Sequence, residues 1–487
     1  MNFNSLGFLI FLPVVVVLYW LLPHKFRWAL LLVASYLFYM SWNFYLILLI
    51  LTTTVTAYGA AIAIERTQSR KIKKLWLVLT LVICLGLLVF FKYINFILES
   101  VVGVIRLFHA EQDDILLNII LPVGISFYTF QTLSYVIDVY RGDFKAERHF
   151  GYFALYVSYF PQLVAGPIEK PQNLLPQLRQ EHTLREEDVS AGFRYLLSGF
   201  FRKCAVADFC GIFVNRVYAD LGNANAVAVF AASALFLIQI YNDFAGYSEI
   251  ALGSARLMGV KLSKNFDRPL TSASYTEFFR RWHITLNQWF TEYVYIPLGG
   301  NRKGTARKIL NTLIVFALCG LWHGANWTFV LWGVAAGVMI SIETLLKKPI
   351  GKWCAKRKID LQRPEIKLVR QIFVFVLFTF SCVLFRAQNL TEIGLAFRQM
   401  FIAWGGEGYF GEAMTALGMG MDDLFRLIAV LVAMGLLYRF TDGTQTQLQG
   451  RDMQITTTYV YGIVAVALFW LAFVADSDVS GFMYFQF

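Results

Sequence analysis

Charge is scarce in this chain. Asp, Glu, Lys and Arg make up only 15% of its 487 residues, against about 25% in soluble domains, too few to clothe a water-facing surface. Within that share the acids are the minority, 32 against 43 basic residues, for a formal net charge of +11. The surplus does not point to nucleic acid: the basic residues fall in short clusters between apolar runs, where the inward bias of positive charge in membrane proteins places them. Cysteine is limited to Cys84, Cys204, Cys210, Cys319, Cys354 and Cys382. Most lie in or beside apolar segments without metal-ligand spacing, so free thiols acting as small apolar side chains are expected. No Gly-x-x-x-x-Gly-Lys-Ser/Thr loop, no His-Glu-x-x-His and no Gly-x-Ser-x-Gly elbow occurs, which removes the usual signals of ATP-driven transport and of metal or serine hydrolysis. No repeat with a period of roughly 20–50 residues stands out.

What the chain has instead is apolar length. Hydrophobic residues reach 57%, aromatics 17%, and the mean hydropathy is +0.56. A hydrocarbon core takes about 20 apolar residues per helical crossing, and such runs recur from Leu6 to Val474, whereas an outer-membrane barrel would show short alternating segments. The expected spans are Leu6–Leu22, Trp28–Met40, Phe44–Ile64, Leu75–Phe91, Ile115–Tyr140, Tyr152–Val164, Ala191–Val217, Ala226–Tyr241, Leu310–Leu345, Leu368–Leu384, Leu424–Tyr438 and Tyr459–Val474. Trp28–Met40 and Tyr152–Val164 are too short to cross upright and read as re-entrant or interfacial. The expectation is one all-α polytopic membrane domain over residues 1–487 with about 11–13 crossings. With no basic n-region before it, Leu6–Leu22 reads as a retained first helix.

Orientation follows from the basic clusters. Glu65 to Lys74 and the loop from Lys347 to Arg370 are expected in the cytoplasm, which places both termini outside after three crossings each way. The acidic segments Ala110–Asp114 and Asp476–Asp478 are compatible with the outer side. Lys170–Asp188 reads as a surface excursion with an interfacial helix, and Gly405–Asp423 as a Gly-rich extracytoplasmic stretch.

The chemistry gathers between Tyr275 and Gly333. If Tyr275–Tyr293 is one helix, Phe279, His283, Asn287 and Phe290 share a face, with Arg280 and Arg281 one turn before the histidine, placed to anchor at a phosphate-rich surface or to grip a ligand phosphate. An interfacial helix with a Trp belt explains the same residues. His323 lies in an apolar helix expected over Leu310–Gly333, where a titratable ring is costly. Gly320 and Gly324 flank it as a small-xxx-small face, with Cys319 and Trp327 one turn to either side and Trp322 adjacent. Two readings stand: a neutral imidazole that takes a proton from an attacking hydroxyl, or a core histidine bonded to a backbone carbonyl. Asp243 and Glu249 are carboxylates in an apolar stretch and need partners; Arg280 or Arg281 is one candidate for Asp243. A metal or haem held between His283 and His323 would lack further ligands at ligand spacing, so no bound metal or cofactor is expected.

The runs Tyr241-Asn242-Asp243-Phe244-Ala245-Gly246-Tyr247-Ser248-Glu249-Ile250-Ala251, Arg280-Arg281-Trp282-His283-Ile284-Thr285-Leu286-Asn287-Gln288-Trp289, Tyr295-Ile296-Pro297-Leu298-Gly299-Gly300 and Leu321-Trp322-His323-Gly324 resemble the membrane-bound O-acyltransferase family. They are most similar to its bacterial branch containing the alginate O-acetylation protein and its peptidoglycan and cellulose counterparts. Phe3-Asn4-Ser5, Ser35-Tyr36-Leu37-Phe38-Tyr39 and Ala165-Gly166-Pro167-Ile168 fit as well, so the resemblance covers nearly the whole chain. It departs from the branch at Ala245 and Glu249, where Ser and Asp are common, changes that keep size or charge. The resemblance implies a ring of helices around a central tunnel, a cytosolic thioester donor, acetyl-CoA, and an extracytoplasmic polysaccharide acceptor reached through a partner acetyltransferase. It places the protein in the bacterial inner membrane.

On this resemblance His323 matches the catalytic histidine and His283 the second, accessory one, and Asp243, Arg280, Arg281, Trp282, Asn287, Trp322 and Asn326 are candidates for substrate binding. The ending Phe482-Met483-Tyr484-Phe485-Gln486-Phe487 resembles the Phe-x-Tyr-x-x-Phe terminus of this branch. Tyr484 is thus a candidate acyl relay, with an aromatic interfacial anchor as the alternative. D-alanyl or other acyl transfer to a cell-wall polymer is a second reading within the family. A secondary transporter using Asp243, Glu249 and the arginines is a reading from another class, though inverted repeats and paired broken helices are not evident.

Overall fold

The computed structural model describes residues 1–108, 116–164, 166–404 and 409–442, and among these every regular element is a helix. The expected span Tyr459–Val474, the acidic segments Ala110–Asp114 and Asp476–Asp478, and Tyr484 lie outside the described residues. Among the described residues six helices are long and apolar enough to cross a membrane: Phe44–Arg66, Arg70–Arg106, Ala226–Arg256, Gly304–His323, Trp327–Lys356 and Pro364–Arg386; Leu6–Leu21 is a shorter apolar helix. Backbone satisfaction explains the choice, since a helix bonds its own N–H and C=O groups where no water can. Large apolar side chains such as Leu9, Val17, Leu48 and Val82 stay exposed on these helices, as lipid-facing surfaces require.

Several expected spans are redrawn. Leu75–Phe91 is part of a longer helical stretch through a π-turn at Val89–Tyr93. Ile115–Tyr140 is helical only from Ile125, because Pro122 and the left-handed Gly124 stand just before it; a side chain at Gly124 would press on the Leu163 carbonyl. Tyr152–Val164 is two short helices, Phe150–Ser158 and Phe160–Leu163, split at Tyr159 ahead of Pro161. Phe153 through Val157 are fully buried, so this segment packs inside the protein rather than lying on an interfacial surface. Ala191–Val217 sits in a helical stretch interrupted by a π-segment at Phe201–Ala207. Leu310–Leu345 is two helices that turn back on each other at Gly324–Asn326.

The chain divides into two compact units, the first Met1–Phe193 with Ala251–Ser263, the second Arg194–Ile250 with the described residues from Lys264 onward. In the first, Ser5 caps the opening helix by accepting the Phe8 N–H, and Phe3, Phe8 and Phe38 cluster at ring separations of 4.5–6.1 Å. Glu169, one of its buried carboxylates, accepts the Ser263 N–H and hydroxyl and the Asn173 amide. Burial, the larger effect, nevertheless raises its carboxyl above the ordinary range. The second unit contains both histidines of interest.

Candidate active site

His323 is the last residue of the Gly304–His323 helix, not the middle of a longer one. Gly324 follows in extended conformation, and Asn326, also extended, accepts the Thr328 N–H at 3.0 Å to start the Trp327–Lys356 helix. That cap explains why an unbroken apolar run folds as a hairpin. Gly320 and Gly324 are both sites of close approach, Gly324 to the Phe329 ring and Gly320 to backbone: a Cβ on Gly320 would lie 3.1 Å from the Gly333 Cα, and one on Gly333 equally near the Gly320 Cα. Trp327, on the second helix, is not one turn from the imidazole, while Cys319 is, with its Sγ 3.9 Å from His323 Nε2.

The His323 ring is 3% exposed and is bounded edge-to-face by Trp322, Trp332 and Phe385 at 5.1, 5.2 and 5.3 Å between centroids. It forms part of the wall of a cavity of about 30 Å³, shared with Phe236, Leu237, Ile240, Phe278, Phe279, Trp282, Trp332, Phe378, Ser381, Cys382 and Phe385. That space holds roughly two water-sized groups. The far wall is a stack of rings, Tyr275 on Phe378 at 4.2 Å and Phe378 on Phe278 at 3.5 Å. Polar atoms on this wall are few, so the imidazole is the one strong proton acceptor among the lining side chains.

His283 departs from the helical reading of Tyr275–Tyr293. Helices Tyr275–Arg281 and Ile284–Phe290 meet at it, and its φ of 43° is left-handed, a conformation that strains a side chain with a Cβ. Its side chain is buried beside Phe244 and Trp322, at 4.7 and 5.6 Å, and Nδ1 bonds Asn265 Oδ1 at 3.2 Å. Burial, and secondarily the neighbouring His323, hold this imidazole well below its usual value, so it is neutral near pH 7. Trp322 neighbours both rings, 5.6 Å from His283 and 5.1 Å from His323 between centroids.

The remaining candidates take different positions. Trp282 lines the His323 cavity. Asn287 donates to the carbonyls of Phe279, Trp282 and His283, stapling the strained junction, and Asn326 is spent on its cap and on the Gln388 carbonyl. Arg280 is exposed, and Arg281 pairs with Glu277 at 2.6 Å; neither lines the cavity. Asp243 pairs not with these arginines but with Lys203 at 2.7 Å, which also binds Asp208 at 2.7 Å. Arg202 bonds Glu249 at 2.9 Å and Asn242 at 3.2 Å. Sequence reasoning missed Arg202 and Lys203, although two adjacent cations in an apolar stretch were the signal that buried carboxylates had partners there. Asn265 was missed as well, since nothing in its local pattern marks a contact 18 residues on. Among the described residues no cluster of three or more His, Cys, Asp or Glu side chains could hold a metal ion.

Comparison with known proteins gives this geometry its context. The family model described as MBOAT, membrane-bound O-acyltransferase family, matches residues 147–387, which include both histidines and the whole lining of the cavity. The chain is 35% identical to a probable alginate O-acetylase of Pseudomonas putida over 100% of both chains. It is 37% identical to the corresponding protein of Pseudomonas aeruginosa over 92% of this chain and 84% of the relative. A peptidoglycan O-acetyltransferase of Helicobacter pylori is 33% identical over 74% of this chain and 71% of its own length. With a relative 35% identical over the whole of both chains and a family model that spans both buried histidines, the chain belongs to the membrane-bound O-acyltransferase family.

Proposed function

We propose that this multi-pass membrane O-acyltransferase moves acetyl groups from cytosolic acetyl-CoA to a polysaccharide outside the membrane, with His323 as the general base. The observation that carries the reading is the His323 imidazole on the wall of a small aromatic cavity. The names of the relatives, O-acetylases of alginate and of peptidoglycan, support an acetyl donor and a glycan acceptor.

In this reading an imidazole nitrogen of His323 takes the proton of an acceptor hydroxyl as its oxygen attacks the thioester carbonyl. The tetrahedral intermediate collapses with C–S cleavage, and the leaving thiolate regains the proton from the imidazolium, so no charge accumulates over the cycle. General-base assistance of this kind is worth about 10²–10⁴ in rate. The aromatic wall has a second use, because excluding water protects the thioester from hydrolysis. A cavity this small suits a two-carbon acyl group. His283 is an accessory residue, neutral and fixed in place.

The basic clusters at Glu65–Lys74 and Lys347–Arg370 support a bacterial inner-membrane protein with both termini outside. The acyl group then passes to a partner acetyltransferase, with Tyr484 as candidate relay. A deletion strain complemented with wild type or with His323→Ala tests the whole. Acetyl ester on the surface polymer should return only with wild type, and return with both would overturn the reading.

A further inference from the structure

We infer that Asn265 is a positioning residue for the acyl transfer, fixing the tautomer and the strained backbone of His283; the inference rests on the reading of the two histidines above. Asn265 is 1% exposed and bonds three consecutive residues. Its Oδ1 accepts the Thr285 main-chain N–H at 3.4 Å and the Thr285 hydroxyl at 2.7 Å, and it contacts His283 Nδ1 at 3.2 Å. Its main-chain oxygen accepts the Ile284 N–H at 2.9 Å.

The Thr285 N–H can only donate, so the amide atom facing it is the oxygen, and the same oxygen faces His283. Nδ1 therefore carries the proton, and in the neutral ring the lone pair lies on Nε2. The side chain thus chooses the tautomer and, through its two Thr285 bonds, joins the main-chain bond to Ile284 in holding His283 at a φ of 43° that a residue with a Cβ keeps only when its surroundings over-determine it.

The choice of amide over carboxylate has a chemical consequence. A carboxylate in this place would accept the same proton but would also favour the imidazolium, which would then stand near His323, the titratable group whose charge acts on His283. The next carboxylate on the packed helix, Asp243, is held by Lys203. Asp267 and Arg281, near the same turn, are joined through their main chains and pair outward, with Lys264 and Glu277 respectively. A neutral acceptor orients the ring while leaving it uncharged.

Asn265→Asp, nearly identical in shape, and Asn265→Leu, without an acceptor, separate orientation from bulk. The readout is transfer of labelled acetyl from acetyl-CoA to polymer in membrane vesicles carrying the full-length protein. For Asn265→Asp the acid limb of the kcat/KM profile should move up by at least one pH unit. For Asn265→Leu kcat should fall at least tenfold, with KM for acetyl-CoA within twofold of wild type. On a His283→Gln background, adding Asn265→Asp should shift nothing. An acid limb for Asn265→Asp that overlays wild type, or one that shifts equally without His283, overturns the inference, and the Asp variant decides alone if the Leu variant does not fold. Retained transfer by His323→Ala in the same vesicles would instead sink the underlying reading.

Discussion

Replacing Gly320 by alanine tests the geometry that holds the catalytic candidate in place. Gly320 lies one turn before His323, where the two arms of the hairpin cross. A Cβ there would sit 3.0 Å from the Phe329 carbonyl carbon and 3.1 Å from the Gly333 Cα, with the Phe329 oxygen closer still. All three are backbone atoms, so no rotamer change relieves the clash, and the helices must part by about 1 Å to restore ordinary contact. Overpacking of this kind costs about 1–3 kcal/mol, of which the better helix propensity of alanine returns about 0.5–1 kcal/mol. The larger effect falls on chemistry, where a 1 Å misplacement costs on the order of 10²-fold in rate. Gly351, in the second arm, has nothing within 4 Å of its would-be Cβ; Gly351→Ala is expected to stabilise by about 0.5–1 kcal/mol and leave transfer intact. Thermal melting in detergent and acetyl transfer in vesicles read both variants. A Gly320→Ala protein that melts with wild type and transfers at full rate would refute the crossing as the support of His323.

Lys203→Met should lower the melting temperature sharply, because Asp208 and Asp243 lose their shared cation and breaking a buried pair costs about 3–5 kcal/mol; melting with wild type would contradict this. At Glu169 the folded chain binds the proton more tightly than the unfolded one, since burial raises the carboxyl. This contribution to stability is complete below the ordinary carboxylate range and is lost as pH rises through the raised value. Glu169→Gln should flatten that part of the melting-versus-pH curve, and an unchanged slope would count against the assignment. Tyr484→Phe should abolish polymer acetylation if the terminal tyrosine relays the acyl group, and a normal rate removes that idea.

The helical membrane architecture was legible in composition and apolar run length, and the family in long ordered motifs. The breaks were harder to read. Tyr275–Tyr293 and Leu310–Leu345 are apolar on both sides of their turns, so periodicity continues across His283 and Gly324 while the backbone does not. The local signal at the second break was Asn326, a capping residue before Trp327, outweighed by the apolar residues around it. Pairings were the other blind spot. Arg280 or Arg281 was one candidate partner for Asp243, but its cation comes from Lys203 in a different helical stretch; the amide nitrogens of Asn287 and Asn326 bond backbone carbonyls, contacts that local sequence does not announce. A sequence names the charges that burial obliges to find partners; which partners they find depends on how the helices turn.

The most direct measurement is single-turnover transfer from labelled acetyl-CoA by purified, folded His323→Gln protein beside wild type, with matched melting curves and the native acceptor system present. The account predicts loss of transfer by at least a hundredfold with acetyl-CoA binding retained. Transfer within a few fold of wild type would contradict it.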